Sequence, residues 1–250
     1  MNLVRDVLSP GILFLAANLI GQGITPTWII GLLPPGAKVV EAADLKAGGS
    51  TQLELVLWML HPTKVVRQQS GDLGCASWVY GDHWYGPARL SLFDITKKRL
   101  NNTVEIRGMY EGADEKDHGF PIPFLVPSGS YYVPSPNAKK EGTPIILNLR
   151  DLTGEGVLGQ FVLFEYEACA ISLTTVLGYS PKLDRAIQYG VERPTESGKK
   201  EIAHWIEQVF GAKPIRPGLW DFTWEPGHGF EGSIHENVSF DRKRQVFVQQ

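Results

Sequence analysis

Leu90-Ser91-Leu92-Phe93-Asp94, running through a turn to Arg99-Leu100, is the stretch that decides the fold. An alternating apolar segment ends on an aromatic residue, a short polar turn follows, and a basic residue opens the return. The pattern recurs at Val176-Leu177-Gly178-Tyr179-Ser180 to Arg185-Ala186, and at Val238-Ser239-Phe240-Asp241 to Arg244-Gln245. Successive side chains of a strand point to opposite faces, so alternation on both sides of a turn describes an antiparallel β-hairpin. Three copies spread along the chain predict a mostly β protein of antiparallel hairpins, either propeller-like or a two-sheet sandwich.

Further strands surround these hairpins. Residues 53–60 (LELVLWML) are apolar in both phases of the alternation, which suits a strand central in a sheet with both faces covered. Residues 145–149, 161–166 and 171–179 read as strands, and Trp220, Phe222 and Trp224 alternate as another. Five prolines between 121 and 136 remove ladder donors, so that segment belongs at an edge or in an extended crossing. One helix is expected near 197–210. Ile202, Trp205, Ile206, Val209 and Phe210 are spaced i, i+3, i+4, i+7 and i+8, with Ser197 as a cap and Gly211 as a terminator.

Composition limits the functions available. The chain has 250 residues, 43% of them hydrophobic and 20% charged, with a formal net charge of -3. That length supports one sizeable core, and residues 34–250 read as a single mostly β domain with no polar linker to divide it. Nucleic-acid binding needs a concentrated basic surface. The densest basic clusters, Lys97-Lys98-Arg99 and Arg242-Lys243-Arg244, both fall at turns, so no nucleic-acid partner is expected.

Near the N-terminus, Arg5 precedes the apolar run 12–17, followed by Leu19-Ile20 and Gly21-Gln22-Gly23. A basic lead, an apolar centre and small residues after it mark residues 1–23 as a candidate signal peptide. The run is too short to span a bilayer. A secreted or periplasmic location is expected, with a cytoplasmic one as the alternative. Cys75 and Cys169 are the two cysteines. They fit one disulfide in an oxidising compartment, or two buried thiols in a reducing one.

Asp151-Leu152-Thr153-Gly154-Glu155-Gly156 is the most suggestive motif. A calcium loop needs oxygen ligands at alternate positions and a glycine at the sixth, because the chain must wrap a hard cation. Asp151, Thr153 and Glu155 alternate, and Gly156 is sixth. With its flanking apolar segments, the region 145–180 resembles the FG-GAP or VCBS-type repeat, whose hairpins carry Asp-x-Asp-Gly-Asp-Gly loops. Thr153 stands where that pattern has an aspartate. The resemblance implies Ca2+ at Asp151, Thr153 and Glu155, and hairpins stacked as propeller blades.

Other residues suggest other chemistries. His83, His228 and His235 lie in or beside loops and are alternative metal ligands for a hydrolase, although their spacing matches no zinc signature. Trp78, Trp84 and Tyr85 offer a flat aromatic platform for a carbohydrate or peptide ligand, or a tryptophan-lined core. Gly-x-Ser-x-Gly elbows and Gly-x-x-x-x-Gly-Lys phosphate loops are absent from the sequence. The expected function is a non-catalytic exported binding or interaction domain, calcium-stabilised through the loop at 151–156, with a protein or carbohydrate partner. The alternative is a metal-dependent hydrolase using the three histidines.

Overall fold

The structure is a computed structural model that describes residues 25–45, 52–65, 83–108, 120–123, 146–167, 171–195, 197–225 and 232–250. A short helix, α1 (Thr27–Leu32), leads into strands β1 (Ala37–Leu45) and β2 (Leu53–Leu60), then β3 (Thr63–Val65) and β4 (His83–Gly86). The first hairpin is β5 (Ala88–Asp94) and β6 (Arg99–Glu105), and β7 (Phe120–Pro123) follows. Next come β8 (Gln160–Glu167), β9 (Ile171–Ser180), β10 (Arg185–Gln188) and β11 (Gly190–Pro194). The chain closes with β12 (Lys200–Ala203), β13 (Ile206–Glu207), a 3-10 turn at Val209–Gly211, β14 (Leu219–Trp224), β15 (Ile234–Asp241) and β16 (Val246–Gln249).

The protein is mostly β and almost wholly antiparallel. The first sheet has the order β1-β2-β5-β6. In the second, β9 pairs with β8 along one edge and with β10 and β13 along the other. The third has the order β12-β11-β16-β15-β14, and β11 runs parallel to β16. A small sheet, β3-β4-β7, carries Pro121 and Pro123 on its edge strand, where a missing ladder donor costs least.

These sheets stack in sequence, one more layer than a two-sheet sandwich. Leu55, Leu57 and Met59 of β2 and Leu90 and Leu92 of β5 pack against Phe161, Leu163 and Leu177 of the second sheet. The opposite phase of the second sheet, Val162 and Val176, packs against Val191, Trp220, Val238 and Phe247 of the third. On the outer face of the first sheet, Val56, Trp58 and Phe93 meet Ile29 of α1. Both phases of β2 are therefore buried, as its unbroken apolar run requires.

The three repeated sequences form the hairpins β5–β6, β9–β10 and β15–β16. All three turns use one device. The last strand residue turns its side-chain oxygen back onto the loop: Asp94 accepts from Lys97 N at 2.9 Å, Ser180 from Leu183 N at 3.2 Å, and Asp241 from Arg244 N at 3.1 Å. The loop then ends on a residue with positive φ, at Lys98 (49°), Asp184 (49°) and Gln245 (59°), which returns the chain to the ladder.

Two expectations are corrected. Residues 197–210 form β12, β13 and the start of the 3-10 turn, not a helix, and the one helix among the described residues is α1. The helical spacing there comes from separate roles. Ile206, Val209 and Phe210 are buried, but Ile202 is 60% exposed on the edge strand β12. Trp205 lies under Arg193, with the guanidinium 4.3 Å from its ring centroid. The β-branched Ile202 and Ile206 accept extended backbone readily, and pairing with β11 and β9 outweighs the local pattern. Residues 146–149 are also irregular instead of a strand. Their backbone is held by Glu41, whose carboxylate accepts from Ile146 N and Leu147 N at 3.2 and 2.9 Å.

Candidate functional site

The loop at 151–156 is built around its own first residue. Asp151 accepts backbone N–H groups from Gly154 at 2.7 Å, Glu155 at 3.2 Å and Gly156 at 2.9 Å. Three donors aimed at one carboxylate give the loop its shape through charge-assisted hydrogen bonds. Gly154 is required where it stands, because its φ is 74° and a Cβ would lie 2.8 Å from Pro217 O. Glu155 Oε1 accepts from Gln245 Nε2 at 3.0 Å, which ties the loop to the third hairpin. Thr153 Oγ1 and Glu155 Oε2 are buried without a hydrogen-bond partner. Among the described residues, no three His, Cys, Asp or Glu side chains gather closely enough to hold a metal ion.

The remaining sequence candidates are dispersed. His235 lies on the outward phase of β15, and its Nε2 is 2.7 Å from Asp221 Oδ1 on β14. The backbone of His83 belongs to β4, pairing with Val65 and Pro123. His228, Trp78, Cys75, Cys169 and residues 1–23 lie outside the described residues. Trp84 and Tyr85 are half-buried in β4. Trp84 packs on the first core and has Lys38 Nζ 4.2 Å from its ring centroid.

The third sheet contains a site the motifs do not point to. Its inward face changes character along the strands. Val191 of β11, Phe247 of β16 and Val238 of β15 belong to the core. Two residues farther toward one end, in the same phase, stand Arg193, Gln249 and Glu236. Glu201 of β12 sits across from Arg193. Together with Pro194, Thr195, Ser197, and Ile206 and Glu207 of β13, these residues line a groove of about 680 Å³. That volume is in the range that holds a small organic ligand, roughly 300–1,000 Å³.

The polar groups of the groove are held in place by neighbours. Arg193 Nε donates to Glu201 Oε1 at 2.8 Å while its guanidinium lies over Trp205. Glu236 is only 6% exposed, and Gln249 Nε2 donates to its Oε2 at 2.7 Å. Among the described residues, Arg193 Nη1 and Nη2 and Glu236 Oε1 have no hydrogen-bond partner. On the opposite face of the third sheet, Glu192 bonds Lys200 Nζ at 3.0 Å and the Arg244 guanidinium. Arg244, then Lys200, hold the Glu192 carboxyl below the usual carboxylate range.

One signal in the sequence does point here. Glu236 stands in the inward phase of β15, together with Val238 and Phe240, where an apolar residue is the default. A charged residue in such a place calls for a reason. The other groove residues carry no such mark, because strands far apart in the chain bring them together. No protein-family model, curated protein or solved structure matches this chain. Among the described residues, no helix is long and apolar enough to cross a membrane.

Proposed function

We propose that this chain is a non-catalytic binding domain whose ligand lies in the groove at the polar end of the third sheet. One observation carries the reading. Arg193, Glu236 and Gln249 occupy inward strand positions, where folding gains most from apolar side chains, and there they line a groove. Polar groups that converge on a concavity and are fixed on strands are the usual makings of a ligand site. The stacked sheets and their repeated hairpins give such a site a rigid scaffold.

The hydrolase reading has less behind it. It needs histidines that converge on one cleft. His235 is on the outward face of β15 beside Asp221, whereas the groove lies on the inward face.

The test is amide chemical-shift mapping on the full chain, using short oligosaccharides, spermine and hexaglutamate as probes. The expected outcome is that one of these classes shifts the amides of Arg193, Ile206, Glu207, Glu236 and Gln249 together. If all three classes leave those amides unmoved, the groove is not a binding site.

A further inference from the structure

We infer that the ligand of this groove is a neutral polyhydroxylated chain, a short oligosaccharide; this inference rests on the binding reading above. The Arg193 guanidinium is already neutralised by Glu201 at 2.8 Å, and Gln249 donates to the buried Glu236. Glu207 has interactions of its own. The guanidinium is thus balanced by Glu201, while Glu236 and Glu207 leave the lining rich in acceptors.

What remains free has two characters. Among the described residues, Arg193 has N–H donors to spare at Nη1 and Nη2, and Glu236 an acceptor at Oε1. A hydroxyl group donates and accepts at once, so a run of hydroxyls satisfies both kinds of group. Charged ligands do not. An anion drawn to Arg193 meets Glu201, Glu207 and Glu236 along the same lining. A cation seated on Glu236 satisfies that carboxylate but leaves the N–H groups of Arg193 unmatched.

Two further features fit a sugar chain. The exposed Pro194 adds apolar surface among the polar lining, and sugar rings have apolar C–H faces as well as hydroxyls. Arg193 is also held by Trp205 beneath it and Glu201 beside it, so little side-chain freedom is lost on binding. The size of the groove suits a short oligomer better than a single ring.

The experiment uses the full chain and calorimetry alongside amide chemical-shift mapping. The neutral probes are the hexasaccharides of cellulose, xylan, laminarin, chitin and starch. The charged probes are spermine and hexaglutamate. At least one neutral hexasaccharide is expected to bind and to shift the amides of Arg193, Ile206, Glu207 and Gln249. Glu236→Gln keeps the shape but removes the charged acceptor, and is expected to weaken binding by roughly ten-fold. Gln249→Ala serves as the second variant should Glu236→Gln fail to fold, with a loss in the same direction. Lys98→Gln, in the distant first hairpin, is expected to bind like the parent. Neutral sugars that leave the groove amides unmoved overturn the inference. Spermine or hexaglutamate shifting them in place of the sugars also overturns it, but leaves the binding-domain reading standing. Silence from every probe overturns both.

Discussion

Glu54 shows how a single residue can make this fold sensitive to pH. It is 5% exposed near the start of β2 and sits directly across from Asp44 on β1. Burial, then the neighbouring Asp44 carboxylate, pushes its carboxyl up to about 7. The folded state therefore holds this proton more tightly than the unfolded chain does. The stabilisation is fully present below the unfolded value near 4.5 and is lost as pH rises through about 7. Glu54→Gln keeps the shape and removes the titration. Urea melts at pH 5, 6.5 and 8 are expected to show the parent losing stability across that span while the variant stays flatter, so that the variant is the more stable of the two at pH 8. Equal slopes for the two proteins would mean that Glu54 does not titrate there.

Between elements, three side-chain amides act as substitutes for backbone. Asn102 accepts from Ala186 N and donates to Ala186 O, both at 2.9 Å, joining β6 of the first sheet to β10 of the second. Gln188 does the same to Arg107, at 2.9 and 2.8 Å. Gln160 bridges Leu152 N and Tyr179 O. Asn102 reaches its partner because the ladder slips beside it: Leu92 pairs with Asn102 and Phe93 with Leu100, which leaves Asn101 as a bulge. Ala186 is fully buried, so Asn102→Ala would leave both of its backbone groups unpaired. The expected cost is about 2–3 kcal/mol in urea unfolding. A loss under about 0.5 kcal/mol, the size of an ordinary surface substitution, would show that the bridge does not hold the sheets together. This scale also separates what the sequence shows from what it conceals. The hairpins are legible because a turn is local chemistry: Asp94, Ser180 and Asp241 each bond an amide within three residues. The segment 197–210 misleads because its spacing suits two periods, and pairing with β9 and β11 decides between them. The groove is hidden because Arg193 meets Gln249 and Glu236 only through the parallel pairing of β11 with β16. Apart from the inward phase of Glu236, no local pattern encodes that meeting.

The second sheet governs the stability of the whole molecule, because it is the layer packed between two other sheets. Val176 and Leu177 are consecutive residues of β9 and point in opposite directions. Leu177 is buried against the first sheet and Val176 against the third. Neither flanking sheet can lose this layer without exposing its own apolar face, so the three are expected to unfold together. Gly178, next along β9, reinforces the coupling. A Cβ there would lie 2.1 Å from Gly159 O, so the close approach of the chain before β8 depends on its being glycine. Leu177→Ala removes packing from one core and Val176→Ala from the other, and each is expected to cost about 2–4 kcal/mol. Both losses should appear as a shift of one cooperative transition, with the same midpoint by tryptophan fluorescence and by far-ultraviolet circular dichroism. Trp58 lies in the first sheet and Trp220 in the third, so independent layers would give the fluorescence more than one transition. A variant that melts in two steps, one core before the other, would show that the stack is a chain of separable units.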